Sequence, residues 1–134
     1  MDYRTIKKLI IVELILLFAQ FQMGMSVNLF LIIPPTAPLG VLIQLSGLEL
    51  VLHIVNGFLI IFLACIILGF SIRTKNALPS KFSLLAIVFI VVAIIAGFVF
   101  FLNGQDGTFS MVMAMSYISV FTIHFVELYV VIKA

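Results

Sequence analysis

The run FSLLAIVFIVVAIIAGFVFFL, residues Phe82–Leu102, decides the fold. It contains no charged residue and no proline. A helix that crosses a bilayer needs roughly 20 mostly apolar residues, each rising 1.5 Å. Working outward, three more runs of this kind appear: Leu9–Ile32, Leu48–Ile72 and Phe109–Ile132. The breaks are chemically distinct. Pro34, Pro35 and Pro38, with Gly40 and Gly47, are expected to stop the first helix. Arg73-Thr74-Lys75-Asn76 and Pro79 separate the second from the third. Asn103-Gly104-Gln105-Asp106-Gly107 is a tight polar turn before the fourth.

The whole chain has the same character. Of its 134 residues 65% are hydrophobic and 9% charged, and the mean hydropathy is +1.42. A soluble domain is about a quarter charged. This much apolar surface calls for lipid as the solvent, so a soluble enzyme, a disordered chain and a nucleic-acid-binding module are excluded. The single cysteine, Cys65, excludes an internal disulfide framework and a multi-cysteine metal site. Four strands are too few to close a barrel, which leaves helices. The expected fold is an all-α integral membrane four-helix bundle, one transmembrane domain over residues 1–134.

The basic residues orient it. Arg4, Lys7 and Lys8 precede the first span, Arg73, Lys75 and Lys81 lie between the second and third, and Lys133 ends the fourth. All seven fall on one side, so both termini are expected in the cytoplasm of a cell membrane. The first span is long for a signal sequence and no small-x-small cleavage site follows it, so it is read as a helix. Gly24 follows Lys8 by 16 residues, as Gly97 follows Lys81, which suggests two hairpins related by an axis along the membrane normal.

Ionisable residues within the spans form two layers, each costing about 2.5 kcal/mol or more at the bilayer centre. The outer layer has Glu49 and His53 one turn apart, with Gly57 on the same face. His53 is 20 residues before Arg73 and Met113 is 20 before Lys133, which sets both about 30 Å above the cytoplasmic charges. Histidine beside glycine suits a porphyrin, and a thioether from Met113 or Met115 suits its opposite axial position or Cu(I). Methionines also fill gaps in packed helices, and an interfacial histidine also bonds to a neighbour such as Glu49 or to water. The inner layer has Glu13 on the first helix with His124 and Glu127 on the fourth. A carboxylate–histidine pair relays protons or holds a metal, whereas interfacial carboxylates reach the headgroups. The two histidines differ in depth by roughly 16 Å on upright helices, too much to share one iron. Gln20, Gln22 and Asn56 are expected to make interhelical hydrogen bonds.

At Glu49-Leu50-Val51-Leu52-His53-Ile54-Val55-Asn56-Gly57, followed by an aliphatic run to a basic loop, the chain resembles the second helix of haem A synthases. That resemblance implies a half-length version of two four-helix halves, with a haem-ligand histidine on the second helix. The family's second histidine lies near the outer end of the fourth helix, where this chain reads Met111-Val112-Met113-Ala114-Met115-Ser116-Tyr117. The expected function is then a b-type haem-binding membrane protein of respiratory electron transfer or haem handling, with His53 on iron, Glu49 orienting it and Gly57 making room. Two alternatives stand beside it. One is a cofactor-free subunit packed in a larger membrane complex. The other is a Cu(I)- or proton-handling membrane protein.

Overall fold

The computed structural model describes residues 3–30, 39–74 and 76–134, with side chains in the second helix from Leu48 onward. The described residues are all-helical: α1 spans Tyr3–Phe30, α2 Leu39–Ile72, α3 Ala77–Leu102 and α4 Gly107–Lys133. Among the described residues four helices are long and apolar enough to cross a membrane, with the spanning part of α2 beginning at Leu48. Pro34, Pro35, Pro38 and Lys75 lie outside the described residues. Gly40 and Gly47 do not stop a helix. They lie within α2, which begins nine residues before its apolar run.

Helix ends follow capping chemistry. Asn76 caps α3, its side chain accepting the Leu78 N–H at 3.0 Å. Pro79 sits inside the first turn of α3 rather than between helices, where its missing N–H leaves no intrahelical bond unmade. After α3 the chain turns through Gly104 (φ 62°) and Gln105 (φ 65°), and the Gln105 N–H closes back on the Phe100 carbonyl at 3.0 Å. Asp106 then caps α4 through the Thr108 N–H at 2.8 Å. That hydrogen bond holds the Asp106 carboxyl below the usual carboxylate range.

α1 packs on α2 and α4, and α3 packs on the same two helices; among the described residues α1 and α3 make no backbone approach, nor do α2 and α4. Paired contacts run antiparallel. Along α1, Ser26, Gln20 and Leu16 meet Glu49, His53 and Asn56 of α2 in turn. Phe21 stacks on Tyr117 of α4 at 4.9 Å, and Glu13 faces His124 further down the same pair.

Buried positions recur by alternating steps of three and four. On α1 they are Ile6, Ile10, Glu13 and Leu17, with Gln20 and Gly24 half-buried and then Val27. On α4 they include Val120, His124, Glu127 and Val131. That is an average spacing of 3.5 residues, which keeps one seam of each helix facing its neighbours. The polarity is inverted relative to a soluble bundle. Polar residues lie in the seam, while Ile15, Phe18, Phe62 and Phe98 are exposed. In lipid the outer face needs only apolar surface, and the seam is where polar groups find partners.

The seam also repeats between helices. With Lys8 laid on Lys81, Glu13, Leu17 and Gly24 fall on Ala86, Ile90 and Gly97. With Arg73 laid on Lys133, His53, Ile60, Ala64 and Ile67 fall on Met113, Val120, His124 and Glu127. Of these fourteen seam residues, only His53, Gly24, Gly97 and Met113 are not fully buried.

Candidate functional site

The inner layer is a closed cluster. Glu13, His124 and Glu127 are each 0% exposed. His124 Nδ1 lies 3.1 Å from Glu127 Oε2, and His124 Nε2 lies 3.4 Å from Glu13 Oε1. On its other side Glu127 Oε1 accepts Ser83 Oγ at 2.6 Å and Ser71 Oγ at 3.4 Å. Four helices therefore meet here: Glu13 on α1, Ser71 on α2, Ser83 on α3, and His124 with Glu127 on α4. The i, i+3 spacing on α4 brings the imidazole and its carboxylate to one face. Glu13 and Glu127 do not reach outward to headgroups. Both point into the seam, where a histidine and two hydroxyls replace water.

Apolar layers close the cluster along the axis. Leu17, Ile60, Ala64, Ala86, Ile90 and Val120 form one. Ile6, Ile10, Ile67 and Val131 form the other, toward the end that carries the lysines of α1. Glu13 stands between Ile10 and Leu17 on its own helix, and His124 and Glu127 between Val120 and Val131 on theirs.

The outer layer is a hydrogen-bonded chain. Asn56 donates to the Leu16 carbonyl at 3.0 Å and to Gln20 Oε1 at 2.8 Å. This fixes which end of the Gln20 amide is oxygen, so its NH2 faces His53 Nε2 at 3.2 Å. His53 Nε2 is then the acceptor, and the proton of the neutral ring sits on Nδ1. No hydrogen bond reaches that nitrogen. Glu49 does not bond His53. It is exposed and accepts Ser26 Oγ at 2.7 Å.

A haem does not fit this arrangement. A ligating histidine needs a nitrogen lone pair and a flat space beside it. The only lone pair, on Nε2, is engaged by Gln20, and the Nδ1 side of the ring presses on Gly24. The notch at Gly24 holds the His53 ring itself, that at Gly57 holds the Gln20 amide, and that at Gly97 holds Met113 Sδ, 3.4 Å from where a Cβ would stand. Met113 thus plugs its own neighbour on α3 rather than facing His53. Met115 is exposed and lines a shallow groove on the outside of α4 with Met111 and Phe89. Among the described residues no group of three or more His, Cys, Asp or Glu is disposed to hold a metal ion.

His53 and His124 engage α1 at Gln20 and Glu13, two turns or roughly 10 Å apart along the axis, with Leu17 between them. Of the interhelical bonds expected from the sequence, Gln20 and Asn56 make them, whereas Gln22 is exposed. Nothing in the sequence pattern singles out Ser71 and Ser83 as site residues. Their signal was position alone: each sits four residues from a buried seam residue, Ile67 and Pro79. Set against known protein families, curated proteins and solved structures, the chain matches none of them.

Proposed function

We propose that the chain is a multi-pass membrane bundle, both termini cytoplasmic, that handles protons at the Glu13–His124–Glu127 cluster. One observation carries this reading: an imidazole with no solvent exposure lies between two equally buried carboxyl groups from different helices. Ionisable groups inside a membrane are costly, and they mark proton and ion sites. Packing alone does not call for them. At the matching register positions on the other helices, Ala86, Ala64 and Ile67 fill the seam with apolar side chains.

The orientation rests on the basic residues, all at the ends that the rule for positive charge assigns to the cytoplasm. The repeat of seam positions supports two hairpins of like design, α1–α2 and α3–α4. The apolar layers above and below the cluster imply gated access: a proton reaches it only when α1 shifts against α2 and α4. Histidine suits the task because both ring nitrogens take part, each facing one of the two carboxyl groups.

The test is proton uptake into vesicles. The protein is reconstituted with an enclosed pH-sensitive dye, and a potassium gradient with valinomycin supplies the driving voltage. Wild type should acidify the lumen faster than Glu13→Gln and His124→Phe variants. A rate equal to that of protein-free vesicles, unchanged by either substitution, overturns the reading.

A further inference from the structure

We propose that the cluster divides its labour: Glu13 carries the exchangeable proton, and Glu127 is the fixed anionic partner of His124. The inference rests on the proton-handling reading and names the group that does the work. Its basis is the unequal surroundings of two equally buried carboxyl groups.

Glu127 is surrounded by donors. Ser83 Oγ, Ser71 Oγ and His124 Nδ1 lie 2.6, 3.4 and 3.1 Å from its oxygens. A carboxylate only accepts, and three donors from three helices meet that requirement. No hydrogen bond reaches either oxygen of Glu13, although the residue is fully buried. His124 Nε2 lies 3.4 Å from Oε1. An unsolvated buried anion is strongly disfavoured, whereas a neutral carboxyl is tolerated. Glu13 is therefore the one that holds a proton at rest.

The charges then close. An imidazolium gives Nδ1–H to the Glu127 carboxylate and aims Nε2–H at the carbonyl oxygen of a neutral Glu13, and the trio has no net charge. On release the O–H bond of the Glu13 carboxyl breaks, its electron pair stays on the carboxylate, and the proton leaves on a water molecule admitted past Ile10 or Leu17. The new anion lies beside His124 Nε2–H, which stabilises it. The groups facing Glu13 are few. From α4 they are His124 and Glu127; from α2, the described inner half contributes no acid or base, and Cys65 is exposed on the far side. The ligand is a proton rather than an alkali cation, since an imidazolium occupies the position beside Glu13 that a metal ion would need.

The sequence contains three glutamates, Glu13, Glu49 and Glu127. Full-length protein labelled with 13C at the glutamate side-chain carboxyl is therefore simple to read by solid-state NMR in lipid bilayers. Variants Glu49→Gln and Glu127→Gln assign the signals; if the second fails to fold, Glu13→Gln assigns them by subtraction. At neutral pH Glu13 should give the one protonated carboxyl signal, lost in Glu13→Gln, with Glu127 and Glu49 as carboxylates. Raising the pH should move the Glu13 signal and leave Glu127 in place. Glu13 ionised at neutral pH, Glu127 as the protonated group, or a shift of the Glu13 signal on adding sodium chloride at constant pH overturns the proposal. No gradient is involved, so the two claims separate. Vesicle uptake with an ionised Glu13 refutes only this assignment, and a protonated Glu13 without uptake refutes only the transport reading.

Discussion

His53 rests its Cε1 3.1 Å from the point that a Cβ on Gly24 would occupy, and the ring nitrogen beside that carbon, Nδ1, lies 3.7 Å from the same point. The glycine is a seat for the imidazole. It holds the ring where Gln20 reaches Nε2, so packing and hydrogen bonding fix the same rotamer. Glycine costs a helix about 0.5–1 kcal/mol relative to alanine. Here that cost is offset by the close approach of α1 and α2.

Alanine at Gly24 is accordingly expected to destabilise the bundle, by about 1 kcal/mol net, because the added methyl pushes a ring that Gln20 already holds. Alanine at Gly97 should be neutral or stabilising, since it meets the flexible end of Met113 at 3.4 Å. Gly69 has nothing within 4 Å and serves as the control, where only the gain in helix propensity remains. Unfolding of the three variants in mixed micelles orders them. A Gly24→Ala variant as stable as Gly69→Ala contradicts the seat.

Ser83→Ala removes the shortest hydrogen bond to Glu127 and leaves a buried carboxylate short of a donor. A bond to a charged group contributes about 1.5–3 kcal/mol, so a loss in that range is expected. Ser71→Ala, at 3.4 Å, should cost less than half as much. Equal effects would show that the two hydroxyls share the work.

Haem loading is expected to fail. Protein purified after expression with ample haem should show no Soret band in the oxidised or the reduced state. His53→Ala should lower thermal stability without any change in colour. A Soret band that disappears with His53→Ala would require the ring to leave both Gly24 and Gln20, and the outer layer would need a different account.

The cap of α4 gives a pH prediction. The Asp106 carboxyl titrates below its unfolded value, so the stabilisation from its bond to Thr108 is complete above the ordinary aspartate range. It is lost as the pH falls through the folded value. Hydrogen exchange at the first turn of α4 should accelerate on acidification, and Asp106→Asn should flatten that response. An unchanged profile in Asp106→Asn would assign the response to another group.

Topology has its own check. A reporter fused after Ala134 should read as cytoplasmic, and one inserted at Asn103–Asp106 as external. A cytoplasmic signal from the second would contradict the orientation taken from the basic residues.

The four spans were legible because hydrocarbon imposes a length and a composition that few sequences meet. Their ends were less so. The apolar run of α3 begins at Phe82, yet the helix starts at Ala77, since Asn76 and Pro79 form a good first turn whether or not lipid surrounds it. The two polar layers were visible as residues, and counting along upright helices gave their order in depth but overstated the separation, roughly 16 Å against roughly 10 Å measured along α1. What was not legible was direction around the helix. With apolar side chains on every face, periodicity gives no contrast between seam and lipid, so Met113 and His53 read as facing each other when each faces a glycine on its own neighbour. Their matching depth rests only on equal spacing, 20 residues each, from Arg73 and Lys133. The tautomer of His53 was equally out of reach, because it depends on Asn56 orienting Gln20 across the helix interface.

Cys65 is the sole thiol in the chain, and it looks outward from the inner half of α2. Thiol chemistry therefore has one address, on the face turned away from both polar layers. A nitroxide attached there samples the acyl chains without touching the seam. Its accessibility to oxygen and to a water-soluble relaxant would measure how deep the bundle sits, and any rolling of α2 during gating would register as a change in that depth. The native molecule thus carries its own depth gauge.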